Sequence, residues 1–438
     1  MSDSFGVGVE AALGAVMSGQ HVFVTGPGGS GKSHTIETIQ GLYAGSVLTV
    51  APTGVAALNV DGMTAHRAFG LSMGVSTKKD VEDMKPKVKR LLKSKALKII
   101  IIDEISMFRS DKLWEMDMKC RAARKKPNVP FGGLQICMFG DFFQNPPVLK
   151  EEEKENYFMF HQTELCCFSD TWKELNPYPV LLEKVFRQNS VHFSTMLNCL
   201  RRGERIEDIV SFMNTHCFQN GDPLDAITLT STNALADRLN KKRFDQIPGV
   251  PTVYEAKKKG DFNQKPVPDM LPLKEGAHVM ITVNEPVPVT ESRDPDYVNG
   301  SRGVLIELGI DSVKVRLDEG KVVDVNMYTW ENVEYNPIKV KHSDGTTTEE
   351  LEKVIAGTYK AMPIRLGWAV TIHKAQGLTL PELNIDFGYG AFAPGMAYVA
   401  FSRATSAKGL RLLRKVKESD IIVDKRIVRF YEETFPGK

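Results

Sequence analysis

Residues 26–33, Gly-Pro-Gly-Gly-Ser-Gly-Lys-Ser, place glycines, a lysine and a hydroxyl in the spacing of a phosphate-binding loop. Gly26, Gly28, Gly29 and Gly31 let the backbone curl so that its amides face a β-phosphate. Lys32 then reaches the β- and γ-phosphates, and Ser33 offers its hydroxyl to magnesium. A tight turn of no chemical meaning is the bland alternative, and it leaves Lys32 and Ser33 unexplained. The expected cofactors are ATP and Mg2+. A second chemical pair, Asp103-Glu104, follows the run Ile99 to Ile102. Asp103 can hold the magnesium shell opposite Ser33, while Glu104 orients or activates the attacking water. A solvated acidic pair is not expected there, because the four isoleucines bury the strand that carries it.

Three further residues could touch the nucleotide. Gln144 closes Gly140-Asp141-Phe142-Phe143-Gln144, where a strand-end amide near the γ-phosphate can report hydrolysis to its neighbours; a polar loop residue is the alternative. Arg403 lies in the apolar run from Tyr398 to Ala404 and is a poor candidate for a free surface charge. An arginine of one domain that reaches the γ-phosphate held by another would stabilise transition-state charge, whereas a buried salt bridge would be purely structural. Arg187, in Val185-Phe186-Arg187-Gln188, is read in parallel.

These residues need strands to present them. Val22–Val24 leads into the phosphate loop, and a helix from His34 to Leu42 follows it. Ser46–Val50, Leu97–Ile102 and Leu134–Phe139 are further apolar strands. The loop after Val50 carries Thr53 and Gly54, which can hold a polymer phosphate or cap a helix. His66 can touch a nucleic-acid backbone or sit buried and hydrogen-bonded. Lys85 to Lys98 contains seven basic residues and no acidic one, which suits a phosphate-facing patch or a solvated helix face. A helix is expected over Ser110–Lys126, apolar at Leu113, Met116 and Ala122, and Glu151–Glu155 reads as a solvated loop. A fresh α/β pattern starts near Pro179, with helices over Val191–Leu200 and around Asp237–Lys242 and a strand at Ile227–Leu229. Residues 243–275 read as irregular, and 276–360 as short strands of a small inserted β-barrel.

At 438 residues the chain suggests two or three domains. Its 42% hydrophobic and 25% charged residues suit a soluble globular protein, and a net charge of +2 leaves nucleic-acid binding to local basic surface. The six cysteines form neither a CxxC pair nor a zinc knuckle. An intracellular, reducing compartment is expected, with no secretory signal and no membrane span.

Taken together and in order, the motifs resemble those of superfamily one B helicases, and within them the petite integration frequency (PIF) DNA helicase family. The resemblance runs over about residues 20–410. Its most diagnostic stretch is the helix from Ser110 through Pro130-Phe131-Gly132-Gly133 to Asp141. It implies an α/β fold with two RecA-like P-loop NTPase domains, a small wedge in the first and an SH3-like barrel in the second. The corresponding boundaries are 1–180 with a wedge at about 71–97, then 181–269 plus 363–438, with the barrel at 270–362. It also implies a monomeric motor on single-stranded DNA and on tailed or forked duplexes, moving from 5′ toward 3′. By matching motif, Lys32, Ser33, Asp103, Glu104, Gln144, Arg187, Gln376 and Arg403 are nucleotide-site residues. Thr53, Gly54, Thr64, His66, His373 and Lys374 are assigned to the strand-binding surface or its coupling to ATP. Two positions depart from the family pattern. Val9 stands near the place of an adenine-reading glutamine, with Gln20 as a substitute, and Asn145 replaces a leucine, adding a polar contact to the strand. A nucleic-acid-stimulated ATPase that clamps or remodels without unwinding has the same catalytic residues. A metabolic kinase would leave Arg187, Gln376 and Arg403 unexplained.

Overall fold

Short runs of consecutive apolar residues build the sheet on which the phosphate loop sits. Strands β1 (Val22–Thr25), β2 (Val47–Ala51) and β4 (Ile99–Ile102) are buried at every position, the pattern of a sheet covered on both faces. With β3 (Met63–Thr64), β5 (Gln135–Phe139) and β6 (Tyr178–Leu181) they form a six-stranded sheet in the order β3-β2-β4-β5-β1-β6, parallel throughout. Helix α1 (Val7–Met17) turns Val9, Ala12, Ala15 and Val16 inward. Helix α2 (Lys32–Leu42) leaves directly from the phosphate loop. Because the strands are parallel, the loops after β1, β2, β4 and β5 emerge at one edge of the sheet, where ligands of such sheets bind.

The computed structural model describes residues 7–437 except 186, 189, 220–222, 263–264, 288–292, 294 and 343–345. Phe186, in the segment that carries Arg187, lies outside the described residues. The chain divides into a first unit of Met1–Phe186, Asn332–Ala356 and Lys425–Lys438, and a second of Arg187–Glu331 and Gly357–Asp424. Residues 425–438, expected in the second α/β domain, thus pack in the first. The reason is the amphipathic spacing of the Lys425–Thr434 helix, whose buried Ile427, Phe430 and Tyr431 share one face. Within the first unit, Glu334 on the Tyr328–Lys341 strand accepts from Arg67 at 2.7 Å and pairs with Lys87.

The second unit contains a four-stranded parallel sheet, Ala369–Thr371, Ile227–Thr230, Leu383–Asp386 and Leu410–Leu412 in that order. Its core gathers Leu200, Met213, Leu229, Ile385 and Phe401. A five-stranded antiparallel sheet follows the order Val322–Asn326, Ser312–Leu317, Arg302–Leu308, His278–Ile281, Ile364–Leu366. Val322–Asn326 alternates exposed and buried residues, as a strand with one wet face must.

Three local readings change. Glu151–Phe160 is a helix, not a loop, and its first-turn glutamates complement the positive end of the helix dipole. Residues 243–275 contain an antiparallel pair, Thr252–Glu255 with Met270–Leu273, and a further strand Lys257–Gly260. Lys257–Gly260 is exposed throughout, so no apolar alternation marks it. In the Ser110–Arg124 helix, Ala122 is exposed and Ala123 is buried, while six charged side chains from Asp111 to Arg121 are buried. Its following turn brings Gly132 against the helix at φ +61°, where a Cβ would lie 2.7 Å from the Cys120 carbonyl oxygen. Among the described residues no helix is long and apolar enough to cross a membrane.

Candidate functional site

The first unit carries the phosphate loop with the geometry its glycines permit. Gly31 adopts φ 96° and caps α2, so the amides of the helix's first turn open onto the loop. Lys32 Nζ donates to the carbonyls of Gly26 at 2.7 Å and Pro27 at 3.0 Å, folding the side chain back over the loop. Ser30 Oγ is buried and finds no hydrogen-bond partner among the described residues. A helix N-terminus, an ammonium and an orphaned hydroxyl around one concave backbone suit a phosphate chain. Beside the loop, a cavity of about 520 Å3 is lined by Val9, Ser30, Pro179, Leu182, Lys184 and Phe435 among others.

At the end of β4, burial and then the neighbouring Glu104 charge push the Asp103 carboxyl up to about 7, against the opposing charge of Lys32. Glu104 takes a left-handed backbone, φ 49°, a strain of order 1–2 kcal/mol for a residue with a Cβ. At the end of β5, Gln144 is buried and its Nε2 donates to Asp141 Oδ2 at 3.1 Å. Asn145 beside it is buried as well.

The second unit holds the arginines. Arg403 is 1% exposed, and its guanidinium donates to Val399 O at 2.9 Å, Leu378 O at 3.4 Å and Ser402 Oγ at 2.8 Å. Arg187 donates to Thr379 Oγ1 at 2.9 Å and Gly377 O at 3.0 Å. Burial lowers its pKa, with Tyr398 opposing. Both arginines therefore bond to the same two stretches, 377–379 and 399–402, the first of which directly follows Gln376. His373 and Lys374 lie just before the first stretch and are exposed, with partial desolvation lowering the pKa of each. Lys374 shares a cavity of about 750 Å3 with Asn240, Phe244, Arg365 and Thr371.

Comparison with known proteins decides what this arrangement belongs to. The PIF1-like helicase family model matches residues 8–220. The ATP-dependent DNA helicase Pif1 of Bdellovibrio bacteriovorus is 30% identical over 433 residues, which is 97% of this chain and 90% of that protein. The chain belongs to the PIF1-like helicase family. It is 33% identical to human ATP-dependent DNA helicase PIF1 over 98% of its own length, but spans only 63% of that protein, and 60% of the zebrafish relative. Among solved structures, unliganded Pif1 from Bacteroides sp. matches with TM-score 0.85 at 29% identity, covering 99% of this chain and 98% of that one. The same helicase bound to single-stranded DNA matches with TM-score 0.68 at 29% identity, covering 98% and 96%.

Of the remaining family positions, all in the first unit, Thr53 and Thr64 occupy helix N-caps. Thr53 is the N-cap of Gly54–Asn59, and its Oγ1 accepts from Ala56 N at 3.2 Å. Thr64 precedes Ala65–Phe69, which carries the half-buried His66; burial, then the charge of Lys112, lowers the imidazole's pKa. Val9 packs in the core of α1, whereas Gln20 is exposed and its carbonyl accepts from Gln135 Nε2 at 2.7 Å. The sequence reading missed Tyr431, whose hydroxyl reaches the ends of β1 and β5. Only the spacing of Ile427, Phe430 and Tyr431 marks that helix as packed, and it does not say against what.

Proposed function

We propose that this chain is an ATP-dependent DNA helicase that moves 5′ to 3′ along single-stranded DNA and opens duplexes in replication, repair or recombination. The observation that carries the reading is the joint presence of the phosphate loop with Asp103-Glu104 in one unit and, in the other, of half-buried Arg187 and buried Arg403, whose guanidiniums both bond to residues 377–379. Relatives named ATP-dependent DNA helicase, and one solved bound to single-stranded DNA, support it. Lys32 and the Gly26–Gly31 backbone bind the phosphates, and Glu104 takes the proton of the attacking water. Gln144 senses the γ-phosphate, and Arg187, Arg403 and Gln376 supply donors to the transferring group.

Among the described residues no three His, Cys, Asp or Glu side chains cluster as a metal site. Mg2+ takes few protein ligands and keeps water and phosphate oxygens; Ser33 and Asp103 would hold it. Bound there, it would neutralise the charge developing on the phosphates. The cavity around Val9 would receive the base, with Val9 in place of a side-chain amide to read adenine. Thr53, Gly54, Thr64, His66, Asn145, His373 and Lys374 belong to the strand-binding surface or its coupling to ATP. The inserted SH3-like barrel expected at 270–362 would be built on the five-stranded antiparallel sheet, without Asn332–Ala356, which packs in the first unit, and 71–97 would be the wedge.

The test is ATP-dependent opening of a duplex with a 5′ single-stranded tail beside its 3′-tailed counterpart, with Lys32→Ala as the blank. Opening of the 5′-tailed substrate alone is expected. DNA-stimulated hydrolysis without opening of either substrate would replace the motor with a clamp.

A further inference from the structure

The Lys425–Thr434 helix inserts two adjacent aromatic side chains into the first unit, and they do different things. Phe430 is pure packing, its ring centroid 5.6 Å from Phe142, 5.8 Å from Phe168 and 6.0 Å from Trp172. Tyr431 packs its ring against Phe143, centroids 4.5 Å apart and planes tilted by 35°, and carries a hydroxyl into a place with defined partners. That hydroxyl lies 2.6 Å from Thr25 Oγ1, accepts from the Phe142 amide at 3.2 Å and donates to Asp141 Oδ1 at 3.4 Å. One assignment satisfies all three: Thr25 donates to Tyr431, the Phe142 amide donates to Tyr431, and Tyr431 donates to the Asp141 carboxylate.

The partners are not arbitrary. Thr25 is the last residue of β1 and is followed by the first glycine of the phosphate loop. Asp141 organises the turn that holds Gln144: its Oδ1 accepts from Phe143 N at 3.1 Å and its Oδ2 from Gln144 Nε2 at 3.1 Å. A single buried hydroxyl thus joins the strand that delivers the phosphate loop to the turn that delivers the γ-phosphate sensor. No other described side chain is hydrogen-bonded to both Thr25 Oγ1 and the Phe142 amide.

We propose that Tyr431 is a positioning residue for ATP hydrolysis, holding the β1 end and the Asp141–Gln144 turn in one register so that Gln144 meets the phosphate that Lys32 binds. It rests on the reading of Gln144 as sensor. The residue acts through geometry and touches no nucleotide. Removing its hydroxyl loosens the sensor relative to the loop, which slows the chemical step and leaves the loop free to bind ATP.

The test compares the full chain with Tyr431→Phe and Thr25→Val in steady-state ATP hydrolysis stimulated by a poly-dT oligonucleotide, with binding of a fluorescent ATP analogue and thermal melting alongside. Tyr431→Phe keeps the ring and its packing. It is expected to lower kcat roughly fivefold to tenfold, the scale of one lost hydrogen bond, with KM and analogue affinity within about twofold. Thr25→Val is expected to lower kcat in the same way, and the double variant to be no slower than Tyr431→Phe. An unchanged kcat, a loss that appears in KM, or additive losses in the double variant would overturn the proposal. If Tyr431→Phe does not fold, Thr25→Val decides by the same split of kcat from KM. A wild-type chain that hydrolyses no ATP would instead overturn the helicase reading, and this one with it.

Discussion

Asp103 and Asp111 are carboxylates of the same unit, close in sequence, and their acidities move in opposite directions. Asp103 is pushed up to about 7 by burial and by the Glu104 charge, and Lys32 only partly offsets them. Burial would raise Asp111 too, but Arg109 clasps it through Nε at 2.9 Å and Nη2 at 2.6 Å, with the charge of Lys112 and the Ser76 amide adding to the effect. Its carboxyl is held below the ordinary value. Burial is common to both, so the partners decide the sign. A carboxylate at the strand end is costly to ionise until a cation arrives; one on the Ser110–Arg124 helix already has its cations and serves the fold.

Variants can break that contrast, beginning with the strongest effect. Glu115 is fully buried on the same helix as Asp111 and accepts from Lys119 Nζ at 2.6 Å and Ser76 Oγ at 2.7 Å. Glu115→Ala strands these donors in the interior and is expected to cost about 3–5 kcal/mol in urea unfolding. Asp103→Asn should lower ATP hydrolysis by about 100-fold or more, the scale of removing one charge-stabilising group. It should nonetheless leave the protein as stable or more stable in buffer without magnesium or nucleotide above pH 7. The sign follows from the raised pKa: the folded state binds the proton more tightly than the unfolded chain, so stability is lost as pH rises toward 7, and asparagine removes that loss.

Asp111→Asn should do the reverse. Its depressed carboxyl contributes stability above the ordinary carboxylate value of about 4, lost as pH falls through the lower folded value. The variant is expected to lose about 1–3 kcal/mol at pH 7 and to show a flatter acid limb by Trp114 fluorescence. The smallest effect belongs to Glu334, whose pairs with Arg67 and Lys87 remain partly open to water. Glu334→Gln should change thermal unfolding by less than about 1 kcal/mol, and less still in high salt. A loss as large as that of Glu115→Ala would mean that exposure does not separate the two classes of charge.

Much of the site was legible because its chemistry is local. The phosphate loop needs its glycines, lysine and serine within one turn, and Asp103-Glu104 announces itself by following four isoleucines. The Ser110–Arg124 helix was legible as a helix but not as a buried one. Lys112, Lys119 and Arg121 look like a solvated face, and only the carbonyls of Phe69, Gly70, Ser72 and Gly74 and the carboxylates around them reveal why cations can be buried there. Apolar spacing picks out Ala122, whereas Ala123 is the buried one, since apolar spacing is a poor guide on a helix whose buried face is charged.

The sequence by itself determined that a phosphate-loop motif follows the first strand, that parallel strands present it, and which family's motifs follow in order. These features depend on residues adjacent along the chain, where spacing and backbone sterics act directly. Only the tertiary structure decided which partners neutralise each buried charge, that residues 425–438 pack with the first unit, and that Tyr431 meets Thr25 and the Asp141–Gln144 turn. Those outcomes join residues hundreds of positions apart, and hydrogen bonding and burial select them only after the chain has folded.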